Sequence, residues 1–319
     1  MYNIVLVGVG ALGKRHLSSI LNTKLELNIY CYDINIRALD GFEFDDKYNN
    51  KSVKMITSLE ELPREVDFAL FAMTSNSRRE MFDRLINQTK VSNILFEKFL
   101  FQRIEDYEHV GNIIKKLGIN AWVNCARRQM DCYQKLKSEL SDAKEMRISI
   151  SGGEWGLACN AIHELDLISF LSDSDKLKID SVELLPGLYD SKRKGYKEVY
   201  GTIRGSCGKC NSFSINCMKD TNVPDVLVIS TDISQYYIIE GNNIKFSMRQ
   251  NEGFEICKEQ FDIPFQSQMT QFVLEDILLR KQSKLSSYFE SSLLHIEFMK
   301  PLLAYFKNNG LEGEYCPIT

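Results

Sequence analysis

Residues 4–16, which read IVLVGVGALGKRH, decide the fold of the N-terminal part. An apolar run too short for a helix leads directly into G-x-G-x-x-G, and a helical pattern follows. Gly8 permits the tight turn after the strand, Gly10 lets a pyrophosphate approach the backbone, and Gly13 lets the helix pack closely on the strand. Ala11 and Leu12 lie in the same loop. The stretch predicts a dinucleotide-binding loop, with the phosphates at the helix N-terminus.

An acidic residue follows at the expected distance. Asp33 lies twenty residues after Gly13, at the end of a second apolar run, residues 27–32. A carboxylate at this position accepts hydrogen bonds from the ribose hydroxyls and repels a 2′-phosphate, which favours NAD over NADP. Two alternatives stay open: Arg37 could hold a phosphate, and Asp33 could serve only to cap the following turn.

Composition excludes several classes of function. The chain has 319 residues, 44% hydrophobic and 26% charged, with a formal net charge of −4. This balance argues against nucleic acid or an anionic membrane surface as a partner. No apolar run approaches the roughly twenty residues of a membrane span. The first strand begins by residue 4, which leaves no room for a signal peptide, so we expect a cytoplasmic protein.

The nine cysteines are expected to be free thiols in a reducing compartment. Cys207 and Cys210 form a single C-x-x-C pair, whereas a structural zinc site normally needs a second pair. A turn between two strands is the favoured interpretation, and no metal is predicted.

The pattern along the chain predicts an α/β protein of two domains. Residues 1–122 alternate short apolar runs with helical patterns, as in a Rossmann domain with a doubly wound parallel sheet. Residues 123–319 predict a second domain of the α+β type, with a mostly antiparallel sheet. Its helices are expected near 131–140, 161–171, 266–279 and 286–307.

Three residues are candidates for acid–base chemistry. Lys98 follows a strand of the parallel sheet at its carboxyl end, where ligands bind, and partial burial would lower the pKa of its amine. His163 and Asp166 lie three residues apart and share one face of a predicted helix. Histidine titrates near neutral pH, and the carboxylate could orient it. The alternatives are a surface lysine and a structural histidine near a helix start.

Asn124 and Arg127 follow the last strand of the first domain, together with Arg128. Guanidinium groups there could pair with a carboxylate or diphosphate of a substrate. Alternatively, they only solvate the start of the next helix.

In combination, these motifs resemble the Gfo/Idh/MocA oxidoreductases. The resemblance covers nearly the whole chain and depends on the glycine loop with Arg15-His16, Thr74-Ser75-Asn76, Glu97-Lys98 and His163-x-x-Asp166. It implies a Rossmann domain followed by an α/β domain with an open sheet, so that residues 123–319 would form the substrate and oligomerisation domain of a homodimer or homotetramer. It also implies NAD(P)-linked oxidation or reduction of a carbohydrate hydroxyl.

The resemblance also implies roles for individual residues. Thr74 and Asn76 would lie beside the cofactor, as would Glu97, and Lys98 would touch both the substrate and the nicotinamide ribose. His163 matches the family's active-site histidine, and Asp166 the acid one turn later. Substrate contacts are expected from these residues: Asn124, Arg127, Trp155, Asn160 and His163.

The chain departs from the family pattern at three positions. Phe99 replaces the usual proline, so the local peptide geometry, often cis in the family, is in question. Arg79 replaces a histidine, and Cys159 replaces an acid. Residues 155–160 and 316–319 are similar to a branch found with bacterial surface-polysaccharide genes.

The expected function is therefore an NAD-dependent oxidoreductase acting on a sugar or nucleotide-activated sugar, with Lys98 and His163 meeting at the nicotinamide. The sequence does not decide which of the two is the base. Two rival functions remain: a non-catalytic NAD-binding regulator, and a redox-neutral epimerase or glycosidase that retains its NAD.

Overall fold

The computed structural model describes residues 1–43 and 50–319, and these form two compact units. The first unit comprises Met1–Gln129, Pro264–Ser291 and Thr319, and the second comprises Met130–Ile263 and Ser292–Ile318. The predicted division at residues 122 and 123 therefore differs from the observed one, chiefly because residues 264–291 return to the first unit.

The first unit is built on a parallel sheet. Its strands are β1 (Tyr2–Val7), β2 (Leu27–Tyr32), β3 (Lys51–Ile56), β4 (Glu65–Val66), β5 (Phe68–Phe71), β6 (Lys90–Val91), β7 (Asn93–Phe96) and β8 (Asn120–Val123). Its first three helices are α1 (Ala11–Leu21), α2 (Ser75–Gln88) and α3 (Ile104–Leu117). The strand order β3-β2-β1-β5-β7-β8, parallel throughout, is that of a Rossmann fold, as predicted. The strands β4 and β6 form a separate short pair.

The returning segment replaces the single helix expected over residues 266–279. It begins with a 3-10 turn (Gln266–Met269), continues as α6 (Thr270–Glu275) and ends in a π-helical turn (Asp276–Arg280). Val273, Leu274 and Ile277 are buried in one apolar cluster with Leu17 and Ile20 of α1. The segment stays with the first unit because it covers the apolar face of α1.

The second unit contains the predicted mostly antiparallel sheet. Its strands are β9 (Met146–Gly153), β10 (Leu177–Leu184), β11 (Tyr189–Asp190), β12 (Lys197–Glu198), β13 (Gly201–Cys207), β14 (Cys210–Met218), β15 (Val226–Thr231), β16 (Ser234–Ile239), β17 (Ile244–Arg249) and β18 (Cys257–Gln260). Eight of them follow the order β10-β13-β14-β9-β15-β16-β17-β18, in which β9 and β14 are the parallel pair. The strands β11 and β12 form a separate hairpin.

The helices of this unit are α4 (Asp131–Glu139), α5 (Leu157–Ser172) and most of α7 (Tyr288–Asn308). Side chains alternate along the sheet, so that Ile148 and Ile150 of β9 are buried while Arg147 and Ser149 are exposed. Helix α5 packs on β13 and β14. Within residues 1–43 and 50–319, every helix is too short or too polar to cross a membrane.

Candidate cofactor and active site

The glycine loop joins β1 to α1 with the geometry that its sequence predicts. Gly8 has φ +91°, and a Cβ atom there would lie 2.9 Å from the Met73 backbone nitrogen. A Cβ at Gly13 would lie 2.0 Å from the Gly8 carbonyl oxygen. A Cβ placed at Gly10 would have no neighbouring atom of the described residues within 4 Å. Gly8 and Gly13 are therefore required by the fold, whereas Gly10 leaves room at the loop surface.

The amino end of α1 is available to a ligand. Gly10 is the N-cap, and no side chain of the described residues caps the helix there. The first turn carries no acidic residue. The first amides of a helix have no partner within the helix, and together they favour an anion. This end of α1 therefore fits the pyrophosphate of a dinucleotide.

Asp33 supports the glycine loop and lines a neighbouring cavity. Its Oδ2 accepts a hydrogen bond from Val9 N at 2.8 Å, and its Oδ1 accepts one from Asn35 N at 3.0 Å. Asp33 thus does cap the following turn, as the alternative interpretation required. The cavity, of about 330 Å³, is lined by Val7, Gly8, Tyr32, Asp33, Ile34, Met73, Ser77, Glu80, Met81 and Arg84. Its position beside the loop and Asp33 fits the adenosine half of the cofactor.

Two arginines differ in their relation to this cavity. Arg37 is exposed, and its backbone N–H donates to Asn35 Oδ1 at 3.0 Å. Arg84 of α2 lines the cavity, opposite in charge to Asp33 and Glu80. Sequence reasoning missed Arg84, because only the packing of α2 brings it to the loop.

Thr74 and Asn76 lie where β5 passes into α2. Thr74 is the N-cap in extended conformation, and its Oγ1 donates to Asn76 Oδ1 at 2.8 Å. Ser75 N donates to Thr319 Oγ1 at 3.0 Å. The turn is therefore fixed from both sides.

Glu97 lies in a buried polar network. Its Oε1 is 3.1 Å from His16 Nε2 and accepts a hydrogen bond from Asn124 Nδ2. His16 Nδ1 lies 2.7 Å from Thr270 Oγ1. Burial would raise the pKa of Glu97, but the hydrogen bonds and charge of His16, with Asn124 and Lys98, outweigh burial and hold that pKa below its ordinary value. The network joins α1, the ends of β7 and β8, and α6.

Lys98 is half-buried and follows β7. The Lys98–Phe99 peptide is cis, the geometry that the missing proline had put in question. The Arg78 guanidinium donates to the carbonyl oxygens of Phe99, Leu100 and Met73, with a distance of 2.9 Å to Leu100. The segment after Lys98 is therefore anchored to α2.

Sequence reasoning considered Arg79 and missed Arg78. Arg79 pairs with Asp83 at 2.7 Å and with Asp106 at 3.4 Å. Arg78 is buried on the same face as Phe82 and Leu85. Its spacing of four and seven residues from these apolar positions was the signal for a buried guanidinium.

The residues after β8 lie at the end of the first unit. Asn124 is buried and bound to Glu97, and a 3-10 turn (Ala126–Gln129) follows. Arg127 is half-buried, whereas Arg128 is buried. The structure thus brings Asn124 to Glu97, which was expected at the cofactor.

In the second unit, the candidate residues lie along α5. His163 is half-buried and Asp166 is fully buried, one turn later. Trp155 Nε1 donates to Asn216 O at 3.0 Å, and Asn160 Nδ2 donates to Trp155 O at 2.7 Å. Trp155 and Asn160 therefore stabilise the turn that begins α5. Asn160 lies about one helical turn before His163.

Glu198, which sequence reasoning missed, caps α5. Its Oε1 accepts hydrogen bonds from Ala158 N and from Val199 N, the latter at 2.9 Å. Gly156 takes a left-handed φ of +86°, and a Cβ there would lie 3.0 Å from Glu198 Oε2. Burial raises the pKa of Glu198, and the backbone hydrogen bonds only partly offset this. No sequence signal links a residue forty positions away to this cap.

The described residues include no group of three or more His, Cys, Asp or Glu side chains that could hold a metal ion. Cys207 and Cys210 are cross-strand neighbours at the turn between β13 and β14, as predicted. All nine cysteines are free thiols.

Residues 2–125 match the family model of the Gfo/Idh/MocA proteins, described as an oxidoreductase family with an NAD-binding Rossmann fold. No curated protein sequence matches the chain.

Several solved structures share the fold. UDP-N-acetylglucosamine 3-dehydrogenase GnnA from Acidithiobacillus ferrooxidans is 10% identical, with a TM-score of 0.68, over 92% of this chain and 94% of that one. A mutant of KijD10, a 3-ketoreductase from Actinomadura kijaniata in complex with TDP-benzene and NADP, is 11% identical, with a TM-score of 0.71, over 93% and 95%.

A super-repressor mutant of Gal80p from Saccharomyces cerevisiae is 12% identical, with a TM-score of 0.70, over 97% of this chain and 96% of that one. At such identities the likeness establishes a common fold only. The family match, the glycine loop and the free amino end of α1 agree with one another. Residues 2–125 therefore match the Gfo/Idh/MocA oxidoreductase family through its NAD-binding Rossmann fold, and the chain as a whole shares the fold of the solved structures.

Proposed function

We propose that the protein transfers hydride between NAD and a hydroxyl or ketone carbon of a sugar or nucleotide-activated sugar. The observation that carries this proposal is Lys98, a half-buried amine at the carboxyl end of β7 beside the buried Glu97. Ligands of open parallel sheets bind at this end. The family match supports the redox chemistry, and the names of GnnA and KijD10 support the substrate class.

The cofactor, when bound, supplies the hydride acceptor or donor at its nicotinamide. The chain's part is to hold the substrate and to move one proton. In the oxidation direction, Lys98 or His163 removes the hydroxyl proton, and Asp166 orients the imidazole from one turn away on α5. Trp155, Asn160, Asn124 and Arg127 bind the substrate in this proposal. Thr74, Asn76 and Glu97 support the cofactor side.

We further propose NAD rather than NADP as the cofactor. Asp33 and Glu80 line the cavity beside the glycine loop, where a 2′-phosphate would meet two carboxylates and one guanidinium, that of Arg84. The carboxylate of Asp33 is also a suitable acceptor for ribose hydroxyls. The repulsion between like charges favours the cofactor without the phosphate.

A homodimer or homotetramer is also part of the proposal. One row of cross-strand neighbours, Ser149, Val228, Tyr237 and Phe246, crosses the face of the sheet opposite to the buried isoleucines. Tyr237 is 37% exposed. An exposed face that carries aromatic side chains is typical of a surface that another subunit covers. A role in surface-polysaccharide synthesis follows from the branch resemblance alone.

The test is Lys98→Met, which removes the amine and keeps an unbranched side chain only one atom shorter. We expect turnover to be abolished and the NAD+ dissociation constant to stay within a few-fold of the wild-type value. The assay mixes protein and NAD+ with a panel of sugars and nucleotide sugars and follows NADH absorbance. Lys90→Met is the matched control, because Lys90 is an exposed lysine paired with Glu65 at 3.0 Å.

Three outcomes decide between the candidates. Turnover by the wild type that survives in Lys98→Met contradicts the assigned role. NAD+ binding without turnover of any sugar favours a regulator of the kind that the Gal80p likeness suggests. Cofactor that copurifies and never exchanges, with sugar conversion but no net NADH, favours an epimerase or glycosidase.

A further inference from the structure

A strongly basic turn joins β11 to β12. Lys192, Arg193 and Lys194 are consecutive and all exposed, in a chain whose net charge is −4. They occupy the tip of the hairpin, between Ser191 and Gly195. The local charge is therefore opposite to that of the whole protein.

These three cations differ from those exposed cations of this protein that pair with a carboxylate. Lys54, Lys178 and Arg204, for example, each have a carboxylate within 2.8 Å. By contrast, none of the carboxylates within the described ranges forms an ion pair with a side chain at the hairpin tip. Three adjacent cations without a counter-charge repel one another, which a binding partner of opposite charge would relieve.

The backbone of the tip is nevertheless held in one conformation. Ser191 N donates to Tyr196 O at 2.9 Å, and Tyr196 N donates to Arg193 O at 3.2 Å. Below the tip, Lys197 Nζ pairs with Asp190 at 2.6 Å, and Tyr196 is buried. A fixed backbone lowers the entropy cost of binding through the side chains that it carries.

The base of the hairpin is fixed to the first turn of α5. Glu198 accepts a hydrogen bond from Ala158 N, and Ser191 Oγ lies 3.7 Å from Cys159 Sγ. His163 follows Cys159 by four residues, about 6 Å along the helix. The hairpin that carries the three cations is thus attached to the N-terminal half of α5, in which His163 lies.

We infer that the hairpin of residues 189–198 binds an oxyanion carried by the sugar substrate, a phosphate of a nucleotide sugar or a carboxylate of a sugar acid. Arginine and lysine are the side chains that recognise both groups, through charge-assisted hydrogen bonds. The inference rests on the proposed function and deepens it, because it makes the substrate an anionic sugar. A nucleic acid is disfavoured by the overall negative charge.

The test compares two probes and two variants. UDP and glucuronate are titrated separately into the NAD+-saturated protein by calorimetry at low ionic strength. The test variant combines Lys192→Ser, Arg193→Ser and Lys194→Ser. The control combines Lys116→Ser, Lys284→Ser and Lys307→Ser, which removes the same charge from exposed positions elsewhere.

We expect the wild type to bind one of the two probes, and the test variant to bind it at least about tenfold more weakly. The control should stay within about twofold, and binding to the wild type should weaken as salt is added. Binding of UDP alone identifies the phosphate, and binding of glucuronate alone identifies the carboxylate. Equal binding by the wild type and the test variant, or binding of neither probe, overturns the inference.

The NAD+ affinity and the melting temperature of each variant are measured in parallel. Both should be unchanged in the test variant, since its three side chains are exposed. Failure of the wild type to bind NAD+ would contradict the proposed function. Intact NAD+ binding together with equal anion binding by the wild type and the test variant would contradict only the inference about the hairpin.

Discussion

Asp33 illustrates how one side chain serves both fold and ligand. Its two oxygens accept backbone N–H groups from the glycine loop and from the next turn, yet the residue also lines the cavity beside the loop. The sequence could supply the residue and its distance from Gly13. It could not weigh capping against cofactor binding, because the two roles use the same carboxylate.

The charge of Asp33 can be separated from its role in the fold. Asp33→Asn keeps an oxygen that accepts the Val9 N–H, gives up the acceptor of the Asn35 N–H, and removes the negative charge. We expect the ratio of NADP+ to NAD+ dissociation constants to fall by about tenfold or more, since hydrogen bonds to a charged group contribute about 1.5 to 3 kcal/mol. Calorimetric titration with both cofactors measures the ratio. Asp40→Asn, at an exposed position, is the control, and an unchanged ratio in Asp33→Asn would contradict the role.

Buried polar side chains mark the limit of sequence reasoning at this scale. Glu97 was recognised through its motif, but its partner His16 lies 81 positions away, and Thr270, which contacts His16, lies 173 positions from Glu97, so no local pattern connects them. Arg78 could have been found from its place on the apolar face of α2. The positions of the glycines, by contrast, were predictable because their constraint is local backbone geometry.

At the scale of elements, the first turn of α5 depends on a carboxylate from β12. Gly156 offers no side chain to cap the helix, so Glu198 supplies the acceptor for Ala158 N. Burial raises the pKa of this acid. The folded protein therefore keeps the proton to a higher pH than the unfolded chain, and the stability contributed by Glu198 falls as pH rises above the unfolded pKa of about 4.3.

Glu198→Gln keeps the accepting oxygen and cannot ionise. We expect the variant and the wild type to have similar free energies of unfolding at pH 4, and the variant to be equally or more stable at pH 8. Urea denaturation at both pH values measures this difference. Glu198→Ala is the control, which should lose about 1 kcal/mol at either pH because the cap is removed. A Glu198→Gln variant that is clearly less stable than the wild type only at pH 8 would contradict the assignment.

The element pattern was largely predictable where periodicity is strong. The parallel strands and the antiparallel sheet follow from apolar runs and alternation, and α4, α5 and α7 lie near their predicted positions. The segment 266–280 was expected as one helix, because a periodic pattern does not reveal 3-10 and π-helical turns. These depend on how the segment packs against α1.

At the scale of the molecule, the first unit is discontinuous in sequence. Residues 264–291 bring Val273, Leu274 and Ile277 into the core with α1, and Ser286 O accepts a hydrogen bond from Val123 N of β8 at 3.1 Å. Tyr288 Oη donates to Tyr107 O at 2.8 Å. The segment therefore covers a helix and the edge of the sheet. The change of pattern along the chain predicted two domains divided after residue 122, whereas the first stretch of the first unit ends at Gln129. The return of the chain could not be predicted, because it depends on contacts between distant residues.

This arrangement predicts which fragments fold. A chain that joins residues 1–129 through a Gly/Ser linker to residues 264–291 should fold and bind NAD+, whereas residues 1–122 alone should not remain folded. The five buried side chains Val273, Leu274, Ile277, Leu278 and Leu285 contribute on the order of 10 kcal/mol by apolar burial, as much as the whole stability of a typical domain. Circular dichroism and NAD+ titration measure folding and binding.

The joined chain with Leu274→Asp and Ile277→Asp is the control and should behave like residues 1–122. If residues 1–122 alone bind NAD+ as tightly as the joined chain, the returning segment is not needed for the first unit.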